Sequence, residues 1–138
     1  YDHFIVLDQL LDRKGRTTRD RLVPYAMYTD PELGRVGLSE REAREKGYKL
    51  KVGCIPMEQV ARANERGETA GLMIVVVDAD TDLILGAAIL GSEGCELVQT
   101  LMALMMTGAP WTTFQNAVFI HPTLTEGFFT LMENVKKV

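Results

Sequence analysis

Leu72-Met73-Ile74-Val75-Val76-Val77-Asp78-Ala79-Asp80-Thr81-Asp82-Leu83-Ile84-Leu85-Gly86-Ala87-Ala88-Ile89-Leu90 consists of two strongly apolar runs joined by a short acidic segment. Runs of this length, rich in β-branched residues and bounded by turn formers, read as the two strands of a hairpin. The aspartates mark a solvated turn. Calcium binding there is the weaker alternative, because the EF-hand ligand spacing is absent.

Working toward the N-terminus, residues 48–55 alternate as a strand. Tyr48, Leu50, Val52 and Cys54 fall on one face, and Lys49 and Lys51 on the other. Before it, Ser39 and Glu42 form a Ser-x-x-Glu capping box and Gly47 stands where a helix ends, which predicts a helix over residues 40–46. Residues 25–29 and 35–38 are short extended pieces separated by the turn Asp30-Pro31-Glu32. Residues 57–68 are polar and fit either a short helix or an irregular loop. The pattern from Val23 onward is α+β: an antiparallel β-sheet flanked by helices.

Toward the C-terminus, residues 93–107 read as a helix that is apolar nearly all round, with Leu97, Val98, Leu101, Met102, Leu104, Met105 and Met106. A helix without a polar face must be covered on both sides. One side can meet the sheet; the other is expected to meet a second subunit or domain, through methionines that pack adaptably. Residues 111–118 are a short connection.

That connection leads to Ile120-His121-Pro122-Thr123-Leu124-Thr125-Glu126. A residue before proline is pushed out of the α region, which aims the His121 imidazole away from the helix that follows. Histidine changes charge near neutrality, and a carboxylate that takes one ring N–H fixes its tautomer and stabilises the imidazolium. His121 and Glu126 therefore read as half of an acid–base site. The same residues have a plainer reading: Thr123 and Glu126 as a capping box for a final helix carrying Phe128, Phe129, Leu131, Met132 and Val135, with His121 an ordinary residue before it. The readings are compatible, since a carboxylate accepts several hydrogen bonds.

Composition narrows the classes. A chain of 138 residues, 46% hydrophobic and 25% charged, is the size and kind of one globular domain. Its net charge of −4, with acids and bases interspersed, does not provide the basic face that nucleic-acid binding needs. No apolar run is long enough to span a bilayer and no signal-peptide pattern opens the chain, so the cytoplasm is the expected compartment. Cys54 and Cys95 are far apart and form no local dithiol; each is expected to fill core space. Two histidines without a Cys/His cluster do not make a zinc site. The glycines lack a G-x-G-x-x-G between strand and helix, so no dinucleotide cradle is predicted.

Several of these pieces, in order, resemble a known module. Pro24-Tyr25-Ala26-Met27-Tyr28-Thr29-Asp30-Pro31-Glu32, then Val36-Gly37-Leu38-Ser39-Glu40, Ala61-Arg62-Ala63, Gly71 to Val75, Ile84 to Gly91, Glu96-Leu97 and the closing His121-Pro122-Thr123-x-x-Glu126 are similar to the C-terminal dimerisation domain of the FAD-dependent pyridine nucleotide–disulfide oxidoreductases. That group includes dihydrolipoamide dehydrogenase, glutathione reductase and the mercuric-reductase-like proteins. The resemblance covers about residues 23–133. It implies that residues 23–138 are a dimerisation domain. It also implies that residues 1–22, with the charged run from Arg13 to Arg21, link it to a preceding FAD-binding region, most like that of the mercuric-reductase-like branch.

The resemblance further implies that His121 exchanges a proton with a dithiol in the partner subunit and that Glu126 orients it. The His121-Pro122 peptide would be cis, with its backbone near the partner's flavin. FAD and NAD(P)H would be cofactors of the longer parent enzyme and would not bind this portion alone. The FAD fingerprint, the Cys-x4-Cys redox pair and the NAD(P) domain are not in these 138 residues, and the chain has no C-terminal pair of adjacent cysteines. With His121 present, this favours thiol–disulfide chemistry over mercury reduction, and a homodimeric portion that is inert alone. The alternative is a free-standing dimeric binding or assembly module that kept the fold without the chemistry. A self-contained hydrolase is the weakest reading, because no serine or cysteine nucleophile pairs with His121.

Overall fold

The computed structural model describes residues 2–11, 15–19 and 21–138. Arg13, Lys14 and Asp20 of the charged run lie outside the described residues.

The predicted hairpin forms: β4 (Leu72–Asp78) and β5 (Ile84–Leu90) pair antiparallel, with an irregularity at Val76/Val77. The acidic turn between them is held by its own side chains. Asp78 accepts hydrogen bonds from the Asp80 N–H and the Thr81 hydroxyl, while Asp82 accepts from Lys51 and from the Trp111 indole N–H. Lys49 pairs with Asp80. The turn carboxylates are thus satisfied by protein donors.

β3 (Leu50–Pro56) pairs with β4, and β2 (Leu33–Gly37) with β5. Short strands β1 (Tyr25–Met27) and β6 (Lys136–Lys137) flank the sheet, giving the order β1-β2-β5-β4-β3-β6, antiparallel throughout. The predicted α+β architecture is the observed one.

Register decides the two faces. Val36, Ala87, Val75 and Gly53 lie in one cross-strand row and Gly34, Ile89, Met73 and Ile55 in the next, all facing the main core. Two helices cover this face. α4 (Gly94–Thr107) lies over β2 and β5 and approaches closely at Gly34, where a Cβ would stand 2.3 Å from the Gly94 carbonyl oxygen. α6 (Gly127–Glu133) lies over β3 and approaches at Gly53, where a Cβ would stand 2.8 Å from the Leu131 carbonyl oxygen. Side chains at these two positions would push the helices off the sheet. The opposite face is covered only in part: α2 (Glu40–Glu45) brings Ala43 onto Leu50 and Val76.

β3 alternates as predicted: Leu50 and Val52 face the smaller cluster under α2, while Ile55 and Gly53 face the main core on the side of Lys51. Lys51 reaches along the core rim, with its ammonium over the Trp111 ring and paired with Asp82. Cys54 lies beyond the reach of α2 and is exposed; only Cys95 is buried as expected.

Residues 57–68 contain a 3-10 turn (Met57–Gln59) and α3 (Ala61–Arg66). The N-terminal segment forms a helix, α1 (Asp2–Leu10). Its apolar residues Phe4, Leu7 and Leu11 recur at three- and four-residue spacing, and the Leu11 N–H bonds the Leu7 carbonyl as a helix requires. α4 presents Leu97, Val98, Leu101 and Leu104 to the core, while Ala103 and Met106 on its other side are uncovered in this single chain. No helix among the described residues is long and apolar enough to cross a membrane.

Candidate functional site

After α4, Trp111 is buried and α5 (Thr112–Gln115) adds a short helix to the predicted connection. α5 carries Phe114, whose ring stacks on Phe128 of α6 at 5.6 Å and 11°, and meets Phe119 edge-on at 5.6 Å and 77°. Phe128 is fully buried. Three aromatic rings therefore clamp the loop at both ends, an arrangement favourable beyond the area it buries. Between the anchors the chain is lifted into solvent. Val118 is 101% exposed and Ile120 79%.

His121 sits at this exposed tip, with its side chain 72% accessible, and its peptide bond to Pro122 is cis. Its Nδ1 lies 2.8 Å from Glu126 Oε1 and 3.0 Å from Oε2. The Thr123 N–H donates to Glu126 Oε2 at 3.1 Å, and the Glu126 N–H donates to Thr123 Oγ1 at 3.2 Å. The Thr123 hydroxyl donates to the Ile120 carbonyl at 2.8 Å. The reciprocal Thr-x-x-Glu bonds form and the same carboxylate engages His121, but the final helix begins only at Gly127, so Thr123 is not its N-cap as the spacing predicts.

The electrostatics favour an ionised Glu126. Partial burial would raise its carboxyl, but the His121 hydrogen bond, the Thr123 N–H and the attraction of a protonated His121 outweigh this. They hold it below the usual carboxylate range. An ionised carboxylate only accepts, so Nδ1 is the donor and Nε2 is the ring nitrogen left for chemistry. The pair lies at the protein surface, with the imidazole largely exposed and the carboxylate partly buried beneath it.

The sequence brought out His121 and Glu126, and the structure joins them. It missed Val118 and Ile120, the exposed apolar residues beside them, and the aromatic clamp. Phe128 was legible as part of the final helix's apolar face, but its partners Phe114 and Phe119 only as scattered aromatics. Two surface clefts, of about 630 and about 1250 Å³, lie elsewhere and include neither His121 nor Glu126. Among the described residues no three His, Cys, Asp or Glu side chains are grouped to hold a metal. The close-set glycines serve packing, as at Gly34 and Gly53, and at Gly91, where a Cβ would meet Met57.

Comparison with known proteins fits this geometry. The sequence model of the pyridine nucleotide-disulphide oxidoreductase dimerisation domain matches residues 23–132. The probable pyridine nucleotide-disulfide oxidoreductase RclA of Escherichia coli (strain K12) is 35% identical over 136 residues, covering 98% of this chain and 31% of RclA. A dihydrolipoyl dehydrogenase of Thermus scotoductus is 40% identical over 118 residues, covering 86% of this chain and 26% of that protein. The solved structure of the HOCl-induced flavoprotein disulfide reductase RclA from Escherichia coli superposes with a TM-score of 0.90 at 34% identity, over 98% of this chain and 31% of that one. LpdA from Mycobacterium tuberculosis shares the fold, with a TM-score of 0.83 at 16% identity. The chain spans about a third or less of the length of these relatives. With the matched residues taking in both the sheet and the His121–Glu126 loop, this chain belongs to the pyridine nucleotide-disulphide oxidoreductase dimerisation-domain family.

Proposed function

We propose that this chain is the dimerisation portion of a longer flavin-dependent pyridine nucleotide–disulfide oxidoreductase, and that His121 and Glu126 form its acid–base pair, acting in trans on the partner subunit's dithiol. The observation that carries this reading is the His121 Nδ1–Glu126 contact at 2.8 Å, displayed on an exposed tip and not enclosed in a pocket. Closing a site expels water and strengthens the electrostatics inside it, and Val118 and Ile120 offer apolar surface for a second subunit to close over. Uncovered Met106 and Ala103 on α4 offer more. A symmetric homodimer would cover such surfaces in pairs.

In the chemistry proposed, the thiolate is the species that attacks and leaves during disulfide exchange. The Nε2 lone pair of His121 takes the proton of a substrate or active-site thiol, leaving a thiolate and an imidazolium, and returns it when a thiol must be released. Glu126 stabilises the imidazolium while it exists. FAD and NAD(P)H, when bound, supply the electrons that reduce the disulfide. Regions outside this chain would hold them, and only the His121–Pro122 backbone would lie near the partner's flavin.

The test is the complete enzyme with His121→Ala, comparing disulfide turnover with flavin reduction by NAD(P)H. The proposal expects the first to collapse and the second to persist. Equal loss of both would remove the proton-transfer role, and unchanged turnover would leave a dimerisation module without the chemistry.

A further inference from the structure

We propose that Thr123 is the positioning residue of the His121–Glu126 pair, setting which imidazole nitrogen carries the proton. The use of that tautomer rests on the acid–base reading above; the geometry does not.

The Thr123 hydroxyl is engaged on two sides. Its single hydrogen goes to the carbonyl of Ile120, immediately before His121, and its oxygen receives the N–H of Glu126. Its backbone N–H fixes Oε2 of the same carboxylate that meets Nδ1. One residue thus ties the chain entering His121 to the backbone and the side chain of its partner. With Nδ1 facing a carboxylate held in this way, the proton stays on Nδ1.

Helix capping does not account for these bonds. α6 begins only at Gly127, and its N-cap residue Glu126 makes no side-chain cap bond. The N–H groups of Gly127, Phe128 and Phe129 are satisfied instead by the carbonyls of Leu124, Thr125 and Glu126, three residues back. The Thr123 bonds lie upstream of the helix and act on the loop that carries His121.

Valine keeps the branched shape of threonine but can neither donate to Ile120 nor accept from Glu126; serine can do both. The experiment is ¹H–¹⁵N NMR of the histidine rings in this chain above the imidazole titration range, with His3, whose ring packs on Phe4 and carries no hydrogen bond among the described residues, as the internal reference. The native protein is expected to show His121 with Nδ1 protonated and Nε2 bare. Thr123→Val should lose that preference and move both ring nitrogens toward the His3 pattern, and Thr123→Ser should restore it. Wild-type ring shifts in a folded Thr123→Val protein would overturn the proposal. Should that variant not fold, a Thr123→Ser protein with the His3-like pattern would overturn it equally. Because the readout is the tautomer and not turnover, an active His121→Ala enzyme would remove the acid–base reading and leave this result standing.

Discussion

The Ser39–Glu42 and Thr123–Glu126 boxes share a four-residue pattern and the same pair of reciprocal bonds, yet they build different things. In the first, Glu42 N–H meets the Ser39 hydroxyl at 3.2 Å and Glu42 Oε2 meets the Ser39 N–H at 2.8 Å; α2 follows at once and is capped by Lys46, just before Gly47 with φ of +83°. In the second the matching distances are 3.2 and 3.1 Å, but the helix waits until Gly127. The difference lies in what comes before. Ser39 follows an extended Leu38 bonded into the sheet through Leu85, so its box has only a helix to start. Thr123 follows the exposed loop that carries His121; its hydroxyl turns back to Ile120 and its glutamate has a histidine to hold. The motif specifies a set of bonds, and the neighbours decide whether these serve a helix or a loop.

The sharpest break between the two is chemical. In the complete enzyme, His121→Ala is expected to lower disulfide turnover by about 10²–10⁴-fold, the usual contribution of a positioned acid–base group, whereas Ser39→Ala should leave it unchanged. Steady-state rates for both variants decide this. A large loss from Ser39→Ala would show that the two boxes are not separate in function.

Next in size is the anchor beneath the second box. Phe128 is fully buried and stacked on Phe114. Phe128→Ala should cost about 3–5 kcal/mol in urea unfolding, because it opens a cavity and frees one end of the loop. If the cost were under about 1 kcal/mol, the aromatic clamp would not be what holds the loop.

Ser39→Ala should cost about 1 kcal/mol, the ordinary value of a lost N-cap. Hydrogen exchange should show the effect at α2, on amides such as Ala43, and not at α6. Protection lost at α6 instead would reverse the assignment of the boxes.

The smallest effect is a pH dependence. Glu126 has a folded-state value below its unfolded one, near 4.3 for a free glutamate. Its contribution is therefore present above that unfolded value and lost as the pH falls through the folded one. Glu126→Gln should flatten the decline of stability below about pH 4, measured by urea unfolding across a pH series. An unaltered decline would mean that the His121 contact does not favour the ionised carboxylate in solution.

How far the sequence could be read follows from how local each signal is. The β4–β5 hairpin and α2 are encoded within a few residues: long apolar runs about an acidic turn, and Ser39, Glu42 and Gly47 at fixed spacing. The His121–Glu126 contact was legible for the same reason, five residues apart about a proline. Cys54 was misplaced because alternation gives two faces without saying which one α2 reaches. α1 was missed because its short apolar repeat competes with charged residues close by. The upstream bond of Thr123 depends on the path of the chain through Pro122, which no spacing rule contains. α4 is the instructive intermediate: its all-round apolarity announced an uncovered side, and Met106, 72% exposed, lies on it.

The order of the strands bears on how the molecule avoids uncontrolled assembly. β4 and β5, the most aggregation-prone segments of the chain, lie at the centre of the sheet with both edges paired. The outer strands are only three and two residues long, and the shorter consists of Lys136 and Lys137. Short edges and lysine charge deny an incoming strand the backbone ladder it would need. Association between copies through side-chain surfaces, which can close on themselves, is thereby favoured over an endless extension of the sheet.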